Sequence, residues 1–444
     1  MPRISGLVST VVVCFGLGAC SGGSTPDDDA TGEGGASAGG AGGEARQGGA
    51  GGGGGTGGKA AGAAGAGAGG ARSGGAGGAA GAPGAGGAST GGGSPGSGWE
   101  GSWPKRRAYQ VNLEGKEGLS DLPLLVAVPA EDAPSAQAVR FVSAAGTLLP
   151  HEFDAVAGPH ALVWVRVPRP EEPFWLYFGK DGAENLPAGH ARAVWGEDMV
   201  VWHLQDSGKE SSAAAFDTQA EGTPFGAGRI GRGYVGQSAQ GTNLGISRED
   251  GVNRKLLPGA TAFTVSAWVR PSAFSQLGDK PFARQILSVG TPKSDSNLNH
   301  AAAFLGLGLD RPGEGGGQVV VGARPQGDEE TAGSAQKVPK ETWTHVAGIV
   351  NLATKRGRLF IDGLPVSDWI DMGDLEATVF SSDHEAKSLH IGASSGGSYG
   401  HFDGGIDEVR LERTLRSDAF MKAVYENMVD PVATVAAGPV QTKP

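Results

Sequence analysis

Beyond position 20 the chain has no cysteine, its two being Cys14 and Cys20. No disulfide framework can therefore cross-link the rest of the chain, and a secreted form must be held by core burial because nothing covalent restrains its unfolded state. Excess positive charge is also missing. Lys and Arg number 36 against 47 Asp and Glu, a formal net charge of −11, whereas a nucleic-acid binder presents a basic face that neutralises phosphates. The best basic cluster, Lys105-Arg106-Arg107, stands where a folded region begins and reads as a solvated strand end. A nucleic-acid partner is not expected. After residue 20 no stretch supplies the roughly 20 apolar residues that a membrane-spanning helix needs.

Glycine, by contrast, is abundant. It makes up 81 of 444 residues, far above the usual share of about 7%, and most of the excess precedes Trp99. Residues 21–98 are Gly, Ala and Ser with scattered charge, without the aromatic or branched apolar side chains that a core requires. We expect a disordered linker with a reach on the order of 45 Å. Its low complexity produces false motifs. Gly53 to Lys59 has phosphate-loop spacing but Ala60 stands where a Ser or Thr must come next, and Gly92-Gly93-Ser94-Pro95-Gly96 lacks the strand-turn-helix context of a nucleophile.

Before the linker, Arg3 precedes a short apolar run from Leu7 to Leu17, which breaks at Gly18-Ala19-Cys20. That is the length of a signal peptide, not of a membrane span. Leu17-Gly18-Ala19-Cys20 resembles the bacterial lipobox, which implies a signal peptide over residues 1–20 and lipid attachment at Cys20. Ser21, in place of an aspartate, resembles the sorting signal of an outer-membrane lipoprotein. The expected contact with membrane is through that anchor alone, with several acyl chains holding where one would not.

From Trp99 onward the pattern is β. Tyr109-Gln-Val-Asn-Leu113, Leu122 to Val128, Val139 to Val142, Ala161 to Val167 and Phe174 to Phe178 are short apolar or alternating segments between turn residues. They predict a small β-sandwich over residues 99–190. Trp103 with Arg107, Leu148-Leu-Pro-His-Glu152, Val163-Trp-Val-Arg-Val-Pro168 and Trp175-Leu-Tyr-Phe-Gly179 resemble, in that order, an uncharacterised family of extracytoplasmic β domains. Its members often lie beside laminin-G-like modules and are sometimes labelled biopolymer-transport proteins. His151 and Glu152 do not begin an HExxH zinc site, since Ala155 stands at the second histidine position.

A second β region runs over residues 196–430, with a tail over 431–444. Thr264-Val-Ser-Ala-Trp-Val-Arg270 places Val265, Ala267 and Val269 on one face, and Trp268 on the other implies that this face too is partly covered. Asp362-Gly363 after Arg358-Leu-Phe-Ile361 signals a hairpin, and Arg416 to Asn427 reads as a closing helix capped by Ser417. Val201-Trp-His-Leu204, Phe263 to Val269, Trp343-Thr-His-Val-Ala347, Leu359-Phe-Ile-Asp-Gly363 and Phe402 to Arg410 together resemble the laminin-G-like, concanavalin-type jelly roll. The whole chain is thus expected to be all-β: a small sandwich, then a jelly roll.

That resemblance implies a module binding carbohydrate or protein, often with calcium. Calcium takes six to eight oxygen ligands, and Asp206, Asp217 and Asp407 are the carboxylates nominated to hold it; a buried partner for a backbone amide or for Arg410 is the competing role of Asp407. Tyr399, Phe402 and Trp369 are the candidate aromatic platforms for a sugar. Glycoside hydrolases of related folds need two carboxylates on one face. In Gly405-Ile-Asp-Glu-Val-Arg410 the adjacent Asp407 and Glu408 should point to opposite faces of a regular strand, so no catalytic residues are assigned. Gly396-Gly-Ser-Tyr-Gly400 precedes a strand instead of a helix and is no nucleophile elbow, and His345 reads as structural. The expectation is a surface-anchored, non-catalytic binding or adhesion module with a carbohydrate or envelope-protein partner. The alternatives are a structural component of an envelope complex and, less favoured, a carbohydrate-active enzyme.

Overall fold

The computed structural model describes residues 99–180, 185–212, 216–221, 225–247, 256, 259–274, 284–290, 301–308, 315–323, 330–373, 375, 388–394 and 400–444. Cys20, the 21–98 segment and Tyr399 lie outside them. Residues 87–444 form one compact unit. No helix among the described residues is long and apolar enough to cross a membrane.

Two sheets build a small lobe. One has the order β23 (Val435–Thr442), β1 (Lys105–Val111), β6 (Phe174–Phe178), β3 (Val139–Ser143). The other runs β2 (Leu122–Pro129), β5 (His160–Val167), β4 (His151–Ala157). The period-2 pattern decides what they bury. Tyr109 and Val111 of β1 and Phe174, Leu176 and Phe178 of β6 enter one core with Leu122, Leu124, Val126, Val163 and Val165. On the opposite face of β1 the guanidinium of Arg106 is clasped between Trp99 and Trp175, 4.5 and 4.1 Å from their ring centroids. Arg107 pairs with Asp132 at 2.9 Å. The basic run at residues 105–107, expected to be a solvated strand end, is therefore largely engaged.

The large lobe is a sandwich of a nine-stranded and a seven-stranded sheet. The first has the path β19 (Leu364–Pro365), β18 (Arg356–Ile361), β17 (Thr344–Asn351), β12 (Ala262–Pro271), β22 (Gly404–Glu412), β10 (Arg232–Gly236), β9 (Phe225–Ala227). β20 (Ile370–Asp371) pairs with β18, and β7 (Met199–Trp202) pairs with β22. The second runs β16 (Glu330–Lys337), β15 (Gln318–Ala323), β14 (Ala301–Leu307), β13 (Arg284–Gly290), β21 (Ser388–Ile391), β11 (Asn243–Ser247), β8 (Gln219–Glu221). Val265, Ala267 and Val269 of β12 meet Leu287, Val289, Leu305, Val319, Val321, Leu389 and Ile391 between the sheets. The β18–β19 hairpin turns at Asp362 and Gly363, both at positive φ (49° and 73°), as the sequence implied.

The outer face of the nine-stranded sheet is not solvated. Trp268, Ala347, Ile349, Phe360 and Val201 project from it into the same cluster as the small-lobe core. Trp268 is 2% exposed, so the covered second face expected from β12 is the junction of the lobes. Helix α1 (Asp418–Val429), N-capped by the Ser417 hydroxyl accepting from Phe420 N–H, packs Phe420, Met421, Val424 and Met428 into that junction. Residues 431–444, expected to be a tail, instead form the short helix α2 (Pro431–Thr434) and β23, which pairs along β1. Val435 is buried in the core, which supplies the reason.

Candidate functional site

Among the described residues a cluster of ionisable groups sits at the lobe junction, and it begins with two irregularities in the strands. In β22, Ser266 lies opposite Arg410 but Trp268 opposite Asp407, so Glu408 and Val409 together face Ala267. Glu408 is the left-handed residue of this bulge, at φ 50°. Ile406, Val409 and Leu411 point into the sandwich. Asp407, Glu408 and Arg410 therefore all project from its outer face, which corrects the expectation that Asp407 and Glu408 diverge. A bulge adds one residue and resets the alternation. β4 carries a second register shift, between Phe153 and Ala155, leaving Asp154 without a cross-strand partner and directing it to the junction.

Asp407 holds its own bulge in place. One carboxylate oxygen accepts the Glu408 N–H at 2.9 Å, and the other accepts the N–H groups of Arg229 and Ile230 at 2.8 Å each. Glu408 accepts from His203 Nδ1 at 2.6 Å and from Arg410 Nη2 at 3.0 Å. His203 stands one residue past β7, in reach of both lobes: its Nδ1 is 3.7 Å from Asp154 and its Nε2 3.6 Å from Glu152. The two small-lobe carboxylates are further held by indole N–H donors, Trp164 to Asp154 at 2.9 Å and Trp195 to Glu152 at 2.7 Å. Gln205 donates to Asp154 and to the Ile230 carbonyl. Arg410 lies over the Trp164 and Trp195 rings at 4.5 and 5.2 Å.

Burial sets the charges. Removal from water alone would lower the His203 imidazole, but the Glu408 and Asp154 carboxylates outweigh it and hold the group well above its usual value. Burial raises Asp154 to about 7 against the pull of His203. Asp407 is pushed well up by burial and then by the Glu408 charge. Glu408 goes the other way: burial opposes it, yet His203 and Arg410 keep it below the carboxylate range. His345, enclosed nearby against Trp268 and Tyr425, is driven by burial to about 3 and is neutral, a structural histidine.

Asp154, His203 and Glu408 form a group of ligating side chains whose donor atoms lie within 4.8 Å of one another. Their fit to calcium is poor. Calcium prefers an all-oxygen shell, whereas here an imidazole lies between the carboxylates and Arg410 already neutralises Glu408. None of the nominated aspartates belongs to this group. Asp206 and Asp217 are exposed, Asp217 accepting the Glu210 N–H at 3.1 Å, and Asp407 spends both oxygens on three backbone N–H groups, its competing role. Among the candidate aromatic platforms, Phe402 is 1% exposed within the large-lobe core, where no ligand can stack on it. Trp369 is 40% exposed, with the Arg358 guanidinium 6.0 Å from its ring centroid. Glu152, Asp154, His203 and Arg410 were not nominated from sequence, and no residue pattern marks the two bulges that bring them together.

A second arrangement lies on the far side of the seven-stranded sheet, facing away from the sandwich core. Gly245, His390, Ser288, Phe304, Gly322 and Thr331 stand side by side across six strands. A Cβ on Gly245 would meet the His390 ring at 2.4 Å, and one on Gly322 would meet the Phe304 ring at 2.1 Å. Both rings therefore lie flat along the sheet over a glycine. His390 Nδ1 is 3.0 Å from Asn243 Oδ1, and burial lowers the imidazole to about 4, leaving it neutral. Ser288 Oγ has no hydrogen-bond partner among the described residues, and Ser288, Phe304 and His390 are all buried.

Comparison with curated proteins gives no match. Solved structures similar to this chain include the CBM40 domain of a Ruminococcus gnavus sialidase bound to α2,3-sialyllactose, at 18% identity over 41% of this chain and 96% of that one, with a TM-score of 0.31. Domain 4 of a GH43 extracellular arabinanase from Geobacillus stearothermophilus, in complex with arabinotriose, is similar at 16% identity over 51% and 87%, TM-score 0.29. The binding domain of botulinum neurotoxin DC in complex with rat synaptotagmin II is similar at 11% identity over 52% and 51%, TM-score 0.36. Residues 247–419, which hold most of the large lobe, match the family model of the concanavalin A-like lectin/glucanases superfamily.

Proposed function

We propose that residues 196–430 are a lectin-like, non-catalytic binding module whose ligand is a carbohydrate or a surface protein. Further, we propose that lipid on Cys20 and the 21–98 linker display it from the outer membrane. The observation that carries the reading is the match of residues 247–419 to the concanavalin A-like lectin/glucanases superfamily. The small lobe covers the outer face of the nine-stranded sheet, and the row on the far side of the seven-stranded sheet is covered as well, Ser288, Phe304 and His390 being 1%, 2% and 4% exposed. A ligand is therefore expected at the sheet edges and loops, where Trp369 is exposed beside the Arg358 guanidinium, an apolar ring next to a directed polar donor, as small-molecule sites combine them.

The family name spans lectins and glucanases, and the placement of the acids favours binding. Two carboxylates that cleave a glycosidic bond must flank substrate; Asp407 and Glu408 are 0% and 1% exposed and committed to backbone amides, His203 and Arg410.

The test is a glycan array with the 87–444 unit, in calcium and in chelator, repeated with Trp369→Ala and Arg358→Ala. Saturable binding that both substitutions weaken supports the reading. Binding that both leave untouched moves the site elsewhere, and no glycan binding by folded protein, with capture of an envelope protein instead, favours the structural component. Release of a shorter sugar would make it an enzyme.

A further inference from the structure

We propose that His203, Asp154 and Glu408 hold a divalent first-row transition ion, with zinc the best fit, that staples the small lobe to the outer face of the nine-stranded sheet.

The donors come from both lobes. Asp154 belongs to β4 of the small lobe, Glu408 to β22 of the large one, and His203 follows β7. His203 Nδ1 lies 2.6 Å from Glu408 Oε1 and 3.7 Å from Asp154 Oδ2, and the three donor atoms fall within 4.8 Å of one another. Zinc, with bonds of about 2.0–2.2 Å to nitrogen and oxygen, spaces tetrahedral donors about 3.3 Å apart, so each of these two gaps has to change by only about 0.4–0.7 Å. One imidazole with two carboxylates suits zinc and its first-row neighbours, whereas calcium prefers oxygen alone.

The surrounding groups are arranged as the shell of an ion. Arg410 engages Oε2 of Glu408 and leaves Oε1 turned to the imidazole. Trp164 and Gln205 fix the Asp154 carboxylate from its two oxygens, at 2.9 and 2.5 Å. His203 Nε2 is buried without a hydrogen-bond partner among the described residues. Glu152 Oε2, itself held by the Trp195 indole N–H at 2.7 Å, stands 3.6 Å from it. An ion that takes the lone pair of Nδ1 leaves the ring proton on Nε2, facing Glu152. That is the carboxylate–histidine–metal arrangement, in which an outer carboxylate fixes the ring and its tautomer.

Charge points the same way. Asp407 is satisfied by three backbone N–H groups. Glu152, Asp154 and Glu408 carry three negative charges when ionised, and Arg410 offsets one. A proton on His203 would offset one more, whereas a dication beside a neutral imidazole offsets both that remain, and buried charge without compensation is costly. The side chains of His203, Asp154 and Glu408 are 9%, 0% and 0% exposed, so the ion is enclosed and its role is structural.

The experiment titrates zinc into the metal-free full chain, reading bound metal by calorimetry and the thermal midpoint with zinc and with excess chelator. One equivalent should bind, and the midpoint should rise with zinc and return with chelator, since an ion that binds the folded state alone stabilises it by mass action. Glu152→Gln keeps an acceptor for Trp195 but removes the charge facing Nε2, and should weaken zinc binding about 10–100-fold. Asp154→Asn, which keeps an acceptor for Trp164, and His203→Gln each remove a ligand and should weaken it further. A wild-type midpoint that zinc does not move, or no stoichiometric binding, overturns the site. So does a zinc response retained in full by folded Asp154→Asn or Glu152→Gln, which would put the ion elsewhere on the chain, Cys14 and Cys20 included.

Discussion

The guanidinium of Arg410 lies 4.5 Å from the centroid of the Trp164 ring, and this contact seats β22 of the large lobe on β5 of the small one. Charge and aromatic surface meet there inside the protein, so each partner depends on the others.

Arg410→Met should therefore cost about 3–5 kcal/mol in urea unfolding, because Glu408 is left buried with His203 as its sole cation. Adding Glu408→Gln should restore part of that loss. A double-mutant cycle that returned additive costs would show that the two residues do not act as a pair.

Asn427 of α1 reaches across to β2, where its side-chain carbonyl accepts the Leu125 N–H at 2.7 Å and its amide donates to the Leu125 carbonyl at 3.0 Å. Asn427→Leu strands both backbone groups. We expect a loss of about 2–6 kcal/mol, from about 1–3 for each of the two unsatisfied groups, read by thermal unfolding; a cost below about 1 would mean that other partners replace it.

Deleting residues 431–444 should expose the flank of β1 and leave Tyr109 and Val111 under-packed. The expected outcome is aggregation or a large fall in thermal midpoint, since an uncovered edge strand pairs with other chains. A soluble truncated chain with an unchanged midpoint would make β23 dispensable.

His390 should contribute to stability without pH dependence above about 7, because burial holds that imidazole to about 4 and it stays neutral. Its folded value is depressed, so it weakens the fold only as pH falls toward and below the ordinary histidine value. Thermal midpoints of the wild type and His390→Gln between about pH 5 and 8 check the point. A wild-type midpoint that falls no faster than that of His390→Gln on acidification would overturn it.

Ser417→Ala should cost about 1 kcal/mol through the lost N-cap of α1, measurable as a small shift in urea midpoint with the slope unchanged.

What the sequence made legible is the part governed by periodicity. The alternation around Trp268 gave both the inward face of β12 and the covered outer one, and Asp362-Gly363 and Ser417 marked their turn and cap. Residues 431–444 were misread because they hold little apolar bulk, Val435 being the residue that anchors the strand. The Asp407–Glu408 pair was misread for a different reason. Left-handed backbone at a bulge is announced when glycine occupies it, whereas at Glu408 the conformation is imposed by Asp407 and the 229–230 loop, a long-range contact without local signature. Phe402 looked like a platform because an aromatic residue in a Gly-rich context serves a core or a ligand equally well.

β1 is the first strand after the glycine-rich segment and is bonded on both flanks, to β6 and to β23, with Arg106 clasped by two indoles on its surface. Tension drawn along the chain from residue 98 would run parallel to these ladders and load both in shear, so that many hydrogen bonds must fail at once instead of one after another. Such an attachment point resists pulling far better than a strand peeled from a sheet edge, a mechanical property suited to a domain held by the chain that precedes it.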